Sequence, residues 1–164
     1  ALAFAASQFV AYFGWSNLGL ILAITGANFL KASGLSGVSL IILFIFVCAL
    51  IDLFLASASA KWAVIGPVFV PMFMIMGYSP ELTQAAYRIG DSFTNIVTPL
   101  MPYMPLVIAF AQKYEPKMGL GTLLAMMLPY SIAFAISWIV LLALWLLFGI
   151  PLGPGASLTY PPLP

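Results

Sequence analysis

The sequence predicts an all-α, polytopic membrane protein, and three observations carry that reading. Apolar residues make up 64% of the chain and charged residues only 5%, against roughly 25% charged in an ordinary soluble domain. Long apolar runs recur. Phe134–Phe148 is almost wholly apolar and Val38–Leu55 holds a single charge, close to the roughly 20 residues that cross a bilayer as a helix. These runs are apolar on every face, whereas barrel strands alternate. Too few polar residues remain to cover a soluble surface. A net charge of +1 offers no basic patch, so nucleic acid is not an expected partner; the lipid bilayer is. There is no histidine and one cysteine, Cys48, which reads as a buried small hydrophobe. That composition leaves no zinc or iron–sulfur site, and no nucleophile–base pair that would mark an enzyme.

The elements follow in order. Residues 1–31 read as a transmembrane helix broken near 14–17 by Gly14-Trp15-Ser16-Asn17. One piece runs to about Phe13; the second starts at about Ser16, capped by Ser16 or Asn17. The chain starts with no Met, basic n-region or cleavage signal and reads as a piece of a longer protein. After a Lys31–Gly37 loop, residues 38–76 read as a re-entrant helical hairpin with its tip at 56–61. The second arm, Lys61–Met76, is about 24 Å long at 1.5 Å per residue, short of a ~30 Å hydrocarbon core. It also contains Pro67 and Pro71. Two apolar arms joined by small polar residues suit a hairpin whose tip stops inside the membrane, where protein or a wet cavity satisfies the backbone.

Gly77-Tyr78-Ser79-Pro80 ends the second arm. Residues 80–112 read as a discontinuous helix: a short helix Glu81–Ile89, an unwound stretch over 90–99, and a half-helix from about Leu100 to Gln112. Glu81 suits the first turn, where its charge meets the helix dipole. Lys113–Lys117 is a loop, and residues 118–149 form the C-terminal transmembrane helix, with Pro129 and Ser131 permitting a kink. The Pro- and Gly-rich residues 150–164 form a tail that cannot continue a helix.

Ionisable groups inside membrane segments are costly and mark substrate or ion pathways by default. Arg88 and Asp91 are three residues apart, so on a continuous helix they share a face. They suit either a structural ion pair or a functional pair. In the functional reading Arg88 holds a substrate carboxylate with its planar fork, and Asp91 carries a proton or helps bind a cation. Asp52, late in the first arm, is a second coupling candidate. Lys61 reads more simply as a side chain snorkelling along the tip. Ser57 and Ser59 at the tip, with Thr94, Asn95 and Thr98 in the unwound stretch, could line an oxygen-rich pocket, in which Ser57, Ser59 and Asn95 are candidates to contact substrate, Thr94 and Thr98 to serve the coupling ion or proton, and Asp52, Ser57 and Asn95 to hold a Na⁺. The same groups could instead merely satisfy broken backbone. Trp62 offers a face to an aromatic ligand or to packing. A hairpin and an unwound helix side by side are the pattern that inverted-repeat transporters place at the bilayer midplane. The chain then reads as one half of such a repeat.

Three stretches, Ser57-Ala58-Ser59-Ala60-Lys61-Trp62-Ala63, Pro67-Val68-Phe69-Val70-Pro71-Met72 and the run from Ala85 to Pro99, resemble the AbgT family of p-aminobenzoyl-glutamate transporters. Met126-Met127-Leu128-Pro129-Tyr130-Ser131 and Pro151-Leu152-Gly153-Pro154-Gly155 match as well. The resemblance implies the C-terminal third of a homodimeric bacterial inner-membrane carrier with two inverted repeats, each bearing a re-entrant hairpin. It implies uptake of p-aminobenzoyl-glutamate, or export of sulfonamide antimetabolites by proton exchange, and a coupling ion (H⁺ or Na⁺) rather than a cofactor. It assigns substrate-cavity roles to Trp62, Pro80, Arg88 and Asp91. It departs at Asp52, where members commonly carry Asn. The small polar tip also resembles, more distantly, the divalent-anion sodium symporters, so a sodium-coupled carboxylate carrier is the alternative, with a non-transport membrane subunit as a third reading. The hairpin predicts that Lys31 and Pro80 share a membrane face with the C-terminus. The two-lysine loop at 113–117 lies opposite and is cytoplasmic by the positive-inside rule, which puts the C-terminus in the periplasm.

Overall fold

The computed structural model describes residues 2–55 and 57–160, and is helical throughout apart from two isolated β-bridges in turns. Ala56, at the start of the expected tip, and residues 161–164 of the tail lie outside the described residues. Seven helices follow in order: α1 (Leu2–Trp15), α2 (Leu18–Ala32), α3 (Gly37–Asp52), α4 (Ala58–Ile75), α5 (Pro80–Thr94), α6 (Met104–Ala111) and α7 (Leu120–Leu147). A single 3-10 turn, Asn95–Val97, follows α5.

The break between α1 and α2 falls where the sequence places it. Asn17 adopts a left-handed backbone (φ 53°) and makes no side-chain cap; its short polar side chain tolerates that conformation better than most. Gly19, Ala23 and Ala27 form a small-residue row along α2 that is buried against α4. Such residues let apolar helices approach closely where no water drives them together.

Helices α3 and α4 form an antiparallel hairpin. Phe44 of α3 lies 4.9 Å, centroid to centroid, from both Phe69 and Phe73 of α4. At the open end the Gly37 amide donates to the Tyr78 hydroxyl at 2.5 Å. At the closed end Ser57 caps α4 by accepting from the Ala60 amide. Pro67 and Pro71 both sit inside α4 without ending it.

Ser79 caps α5, accepting from the Leu82 amide at 3.2 Å, with Pro80 in the first turn. Leu82, Thr83, Ala86, Tyr87, Gly90, Asp91, Phe93 and Thr94 make its buried face at helical spacing. α5 runs parallel to α3, with Ile45 and Cys48 against Gly90 and Asp52 against Thr94. The approach is so close that a Cβ on Gly90 would lie 2.7 Å from the Ile45 carbonyl oxygen.

The expected unwound stretch over 90–99 is shorter than predicted. α5 stays helical through Thr94, and regular structure ends only at Thr98-Pro99. Its polar side chains bond back to the helix: Ser92 Oγ donates to the Arg88 carbonyl at 2.6 Å and Thr98 Oγ1 to the Thr94 carbonyl at 2.8 Å. Polar groups satisfied one turn back do not unwind a helix, and proline does the breaking. The following half-helix is likewise shorter than expected, because Pro99 and Pro102 delay it to Met104.

α7, about 42 Å long at 1.5 Å per residue, runs antiparallel to α5 and is anchored by Ser131 Oγ, which donates to the Phe93 carbonyl at 2.6 Å. The tail then folds onto the turn before α5. The Tyr160 amide donates to Gly77 O at 2.9 Å and the Ser79 amide to Leu158 O at 3.2 Å. The tail, the open end of the hairpin and the start of α5 therefore share one end of the bundle.

Candidate functional site

At the opposite end of α5 the hairpin tip meets a cluster of charges. Lys61, in the first turn of α4, is fully buried (0% exposed), as is Asp52. The Lys61 ammonium donates to Asp52 Oδ1 and, at 2.7 Å, to Asp91 Oδ1. Its other side meets the Tyr87 ring, 5.3 Å from the centroid. The Thr94 hydroxyl donates to Asp52 Oδ2 at 2.6 Å; the Thr98 hydroxyl, which donates to the Thr94 carbonyl at 2.8 Å, lies 3.5 Å from the same oxygen. Asp91 Oδ2 has looser partners, Asn95 Nδ2 at 3.3 Å and the Arg88 guanidinium at 3.7 Å. A buried charge survives only when paired and hydrogen-bonded, and every carboxylate oxygen here has a partner.

Arg88 faces outward, its side chain 61% exposed. It stands at the rim of a recess of about 170 Å³ lined by Ala58, Ser59, Trp62, Gln84 and Tyr87. Trp62 packs on Tyr87 with ring centroids 4.8 Å apart, and the Tyr87 hydroxyl donates to the Ala58 carbonyl at 2.6 Å. This ties the start of α4 to the middle of α5 and fixes the recess wall.

The structure thus gathers Asp52, Asp91, Thr94 and Thr98 in one buried cluster, with half-buried Asn95 at its edge, and Ser59, Trp62 and Arg88 around the adjoining recess. Pro80 does not join them. It opens α5, eleven residues before Asp91, about 16 Å away along the helix axis. Ser57 is exposed and spends its hydroxyl on capping α4. The expected sodium site near Asp52, Ser57 and Asn95 does not fit this arrangement. Ser57 is turned to its own helix, Asn95 donates to Asp91, and the Asp52 oxygens already hold an ammonium and the Thr94 hydroxyl. Among the described residues no three His, Cys, Asp or Glu side chains gather as a metal site.

Lys61 is the residue that sequence reasoning undervalued. It does not snorkel; it is the centre of the cluster. The signal was its spacing. It follows Asp52 by nine residues across a turn, so closing the hairpin brings the two together. A lone lysine in apolar sequence needs a carboxylate.

The sequence model of the AbgT putative transporter family matches residues 1–160. The p-aminobenzoyl-glutamate transport protein of Escherichia coli (strain K12) is 40% identical over 154 residues, covering 94% of this chain and 30% of that protein. Among solved structures, the Alcanivorax borkumensis YdaH transporter superposes with a TM-score of 0.85 at 56% identity, over 91% of this chain and 32% of that one. Neisseria gonorrhoeae MtrF, described as illuminating a class of antimetabolite efflux pumps, gives a TM-score of 0.82 at 55% identity, over 95% of this chain and 31% of that one. The chain therefore spans about a third of the length of these relatives, which are transporters and not enzymes. A family match over residues 1–160, with superposition over 91% and 95% of the chain, makes this chain a member of the AbgT family of membrane transporters.

Proposed function

We propose that the whole protein is a secondary active carrier that moves p-aminobenzoyl-glutamate, or a related aromatic amide such as a sulfonamide, across the bacterial inner membrane. The observation that carries this reading is Arg88, an exposed guanidinium at the rim of an aromatic-walled recess, backed at 3.7 Å by the buried Asp91 carboxylate. A substrate carboxylate accepts two hydrogen bonds from that guanidinium, while its ring lies against Trp62 and Ser59 lines the recess. Engaging Arg88 draws it away from Asp91 Oδ2, the least tightly held oxygen of the cluster. That oxygen is then free to take a proton, which exchanges for the substrate. Asp52, Thr94 and Thr98 hold the other end of the cluster in place.

In this reading α3 and α4 are a re-entrant hairpin. Their lengths, 16 and 18 residues, correspond to about 24 and 27 Å, against ~30 Å of hydrocarbon. The hairpin and α5 shift together against the rest of a homodimer of inverted repeats, and the tail lies in the periplasm. The test is counterflow in proteoliposomes containing the whole protein, with p-aminobenzoyl-glutamate and a sulfonamide in separate arms and pH varied. Saturable counterflow is expected. Its absence for both compounds at every pH would end the proposal.

A further inference from the structure

The two carboxylates that the sequence offers to a coupling cation, Asp52 and Asp91, already face one, and that cation belongs to the chain. We propose that the Lys61 ammonium is a tethered counter-cation that takes the place of a coupling sodium ion between Asp52 and Asp91, so that this carrier cycles without sodium. The inference rests on the reading of this cluster as the coupling site and names the ion it excludes.

Three observations support it. The first is position. The ammonium bridges Asp52 Oδ1 on α3 and Asp91 Oδ1 on α5 from the first turn of α4, with the Tyr87 ring on a further side. A metal ion would occupy the same place to bridge the same two helices. The second is burial. Lys61 and Asp52 are both 0% exposed, so the ammonium does not exchange with water as a surface lysine does. The third is charge. Two carboxylates are matched by the ammonium of Lys61 and the guanidinium of Arg88, which leaves the cluster formally neutral. An added sodium ion would leave an uncompensated positive charge in a low-dielectric interior, which desolvation strongly disfavours. Asp52 is what makes the pairing complete, because it gives the ammonium a second carboxylate.

A tethered cation differs from a free one in a measurable way. Removing it leaves two carboxylates facing a space about the size of the lost side-chain end, and free cations then have a site. The experiment uses the whole protein purified in detergent. Thermal unfolding is followed in NaCl and in choline chloride at equal ionic strength, for the wild type, Lys61→Ala and the double variant Asp52→Asn/Lys61→Met. The wild type is expected to unfold at the same temperature in both salts. Lys61→Ala is expected to unfold earlier in choline and to be stabilised saturably by sodium, as a ligand that binds only the folded state stabilises it; ethylammonium, which mimics the missing amine, is expected to do the same. The double variant keeps the net charge of the cluster but only one carboxylate, and is expected to fold with no response to sodium.

Saturable, sodium-specific stabilisation of the wild type overturns the proposal. So does a Lys61→Ala protein that is as stable as wild type in choline and indifferent to sodium. If Lys61→Ala cannot be recovered folded, wild-type counterflow decides: equal rates in sodium and choline support the tethered cation, and a loss of about tenfold or more without sodium refutes it. A protein that transports neither compound counts against the transport reading alone, since the unfolding scans need no substrate.

Discussion

Gly90→Ala should damage this protein more than its chemistry suggests. The glycine sits where α5 crosses α3, and the added Cβ would lie 2.7 Å from the Ile45 carbonyl oxygen and 2.9 Å from Cys48 Cβ. Carbon–oxygen contacts settle near ~3.3 Å, so α5 must retreat by about 0.6 Å. The obstacle is backbone of a packed helix, not the end of a flexible side chain. Overpacking of this kind costs about 1–3 kcal/mol, and its upper end applies here; alanine returns up to ~1 kcal/mol of helix propensity. The net expectation is a loss of about 2 kcal/mol. The retreat also acts one turn on, where it stretches the 2.6 Å bond from Thr94 to Asp52. Gly66→Ala is the matched control. Its Cβ would meet Trp62 at an ordinary 3.4 Å, so propensity dominates and the variant should be as stable as wild type or up to ~1 kcal/mol more so. Thermal unfolding of the whole protein in one detergent gives the order Gly66→Ala, wild type, Gly90→Ala. A Gly90→Ala protein that unfolds no earlier than wild type would show that the α3–α5 contact is not as tight as described.

Arg88→Ala should lower affinity for p-aminobenzoyl-glutamate by about thirtyfold or more, as loss of a charged hydrogen-bonding partner does. With that side chain 61% exposed, stability should move by less than about 0.5 kcal/mol; wild-type binding by calorimetry would remove Arg88 from the site. Asp91→Asn should fold and flatten the pH dependence of counterflow, because the carboxylate that exchanges the proton is gone; an unchanged pH profile would shift coupling to Asp52. Tyr87→Phe removes the 2.6 Å bond to the Ala58 carbonyl but keeps the ring against Trp62. It should cost about 1 kcal/mol, and an unaltered unfolding curve would mean that this bond does not hold the tip to α5.

Much of the site was legible because its residues lie in short local runs. The charged and hydroxyl-bearing side chains between Arg88 and Thr98 stand out against apolar sequence, and the three-residue spacing of Arg88 and Asp91 puts both on one helix face. The Gly14–Asn17 break was legible for the same reason, as a cluster of residues poor in helix propensity. The extent of the α5 break was not. Whether Ser92 and Thr98 unwind a helix or bond back to it depends on where their hydroxyls turn, and composition is the same in either case. Pro80 was drawn toward the site by resemblance, although a helix of eleven residues separates it from Asp91.

By itself the sequence determined that the chain is built of apolar helices, where they are interrupted, and which polar residues are trapped among them. Hydropathy and helix termination are sums over neighbours along the chain, so they can be read without a fold. Only the tertiary structure decided which trapped charges meet. Lys61 and Asp91 are thirty residues apart, on helices that touch because Gly90 admits α3 and because the hairpin closes. The partner of a buried charge is set by the packing of backbones around it, and no local pattern states that geometry.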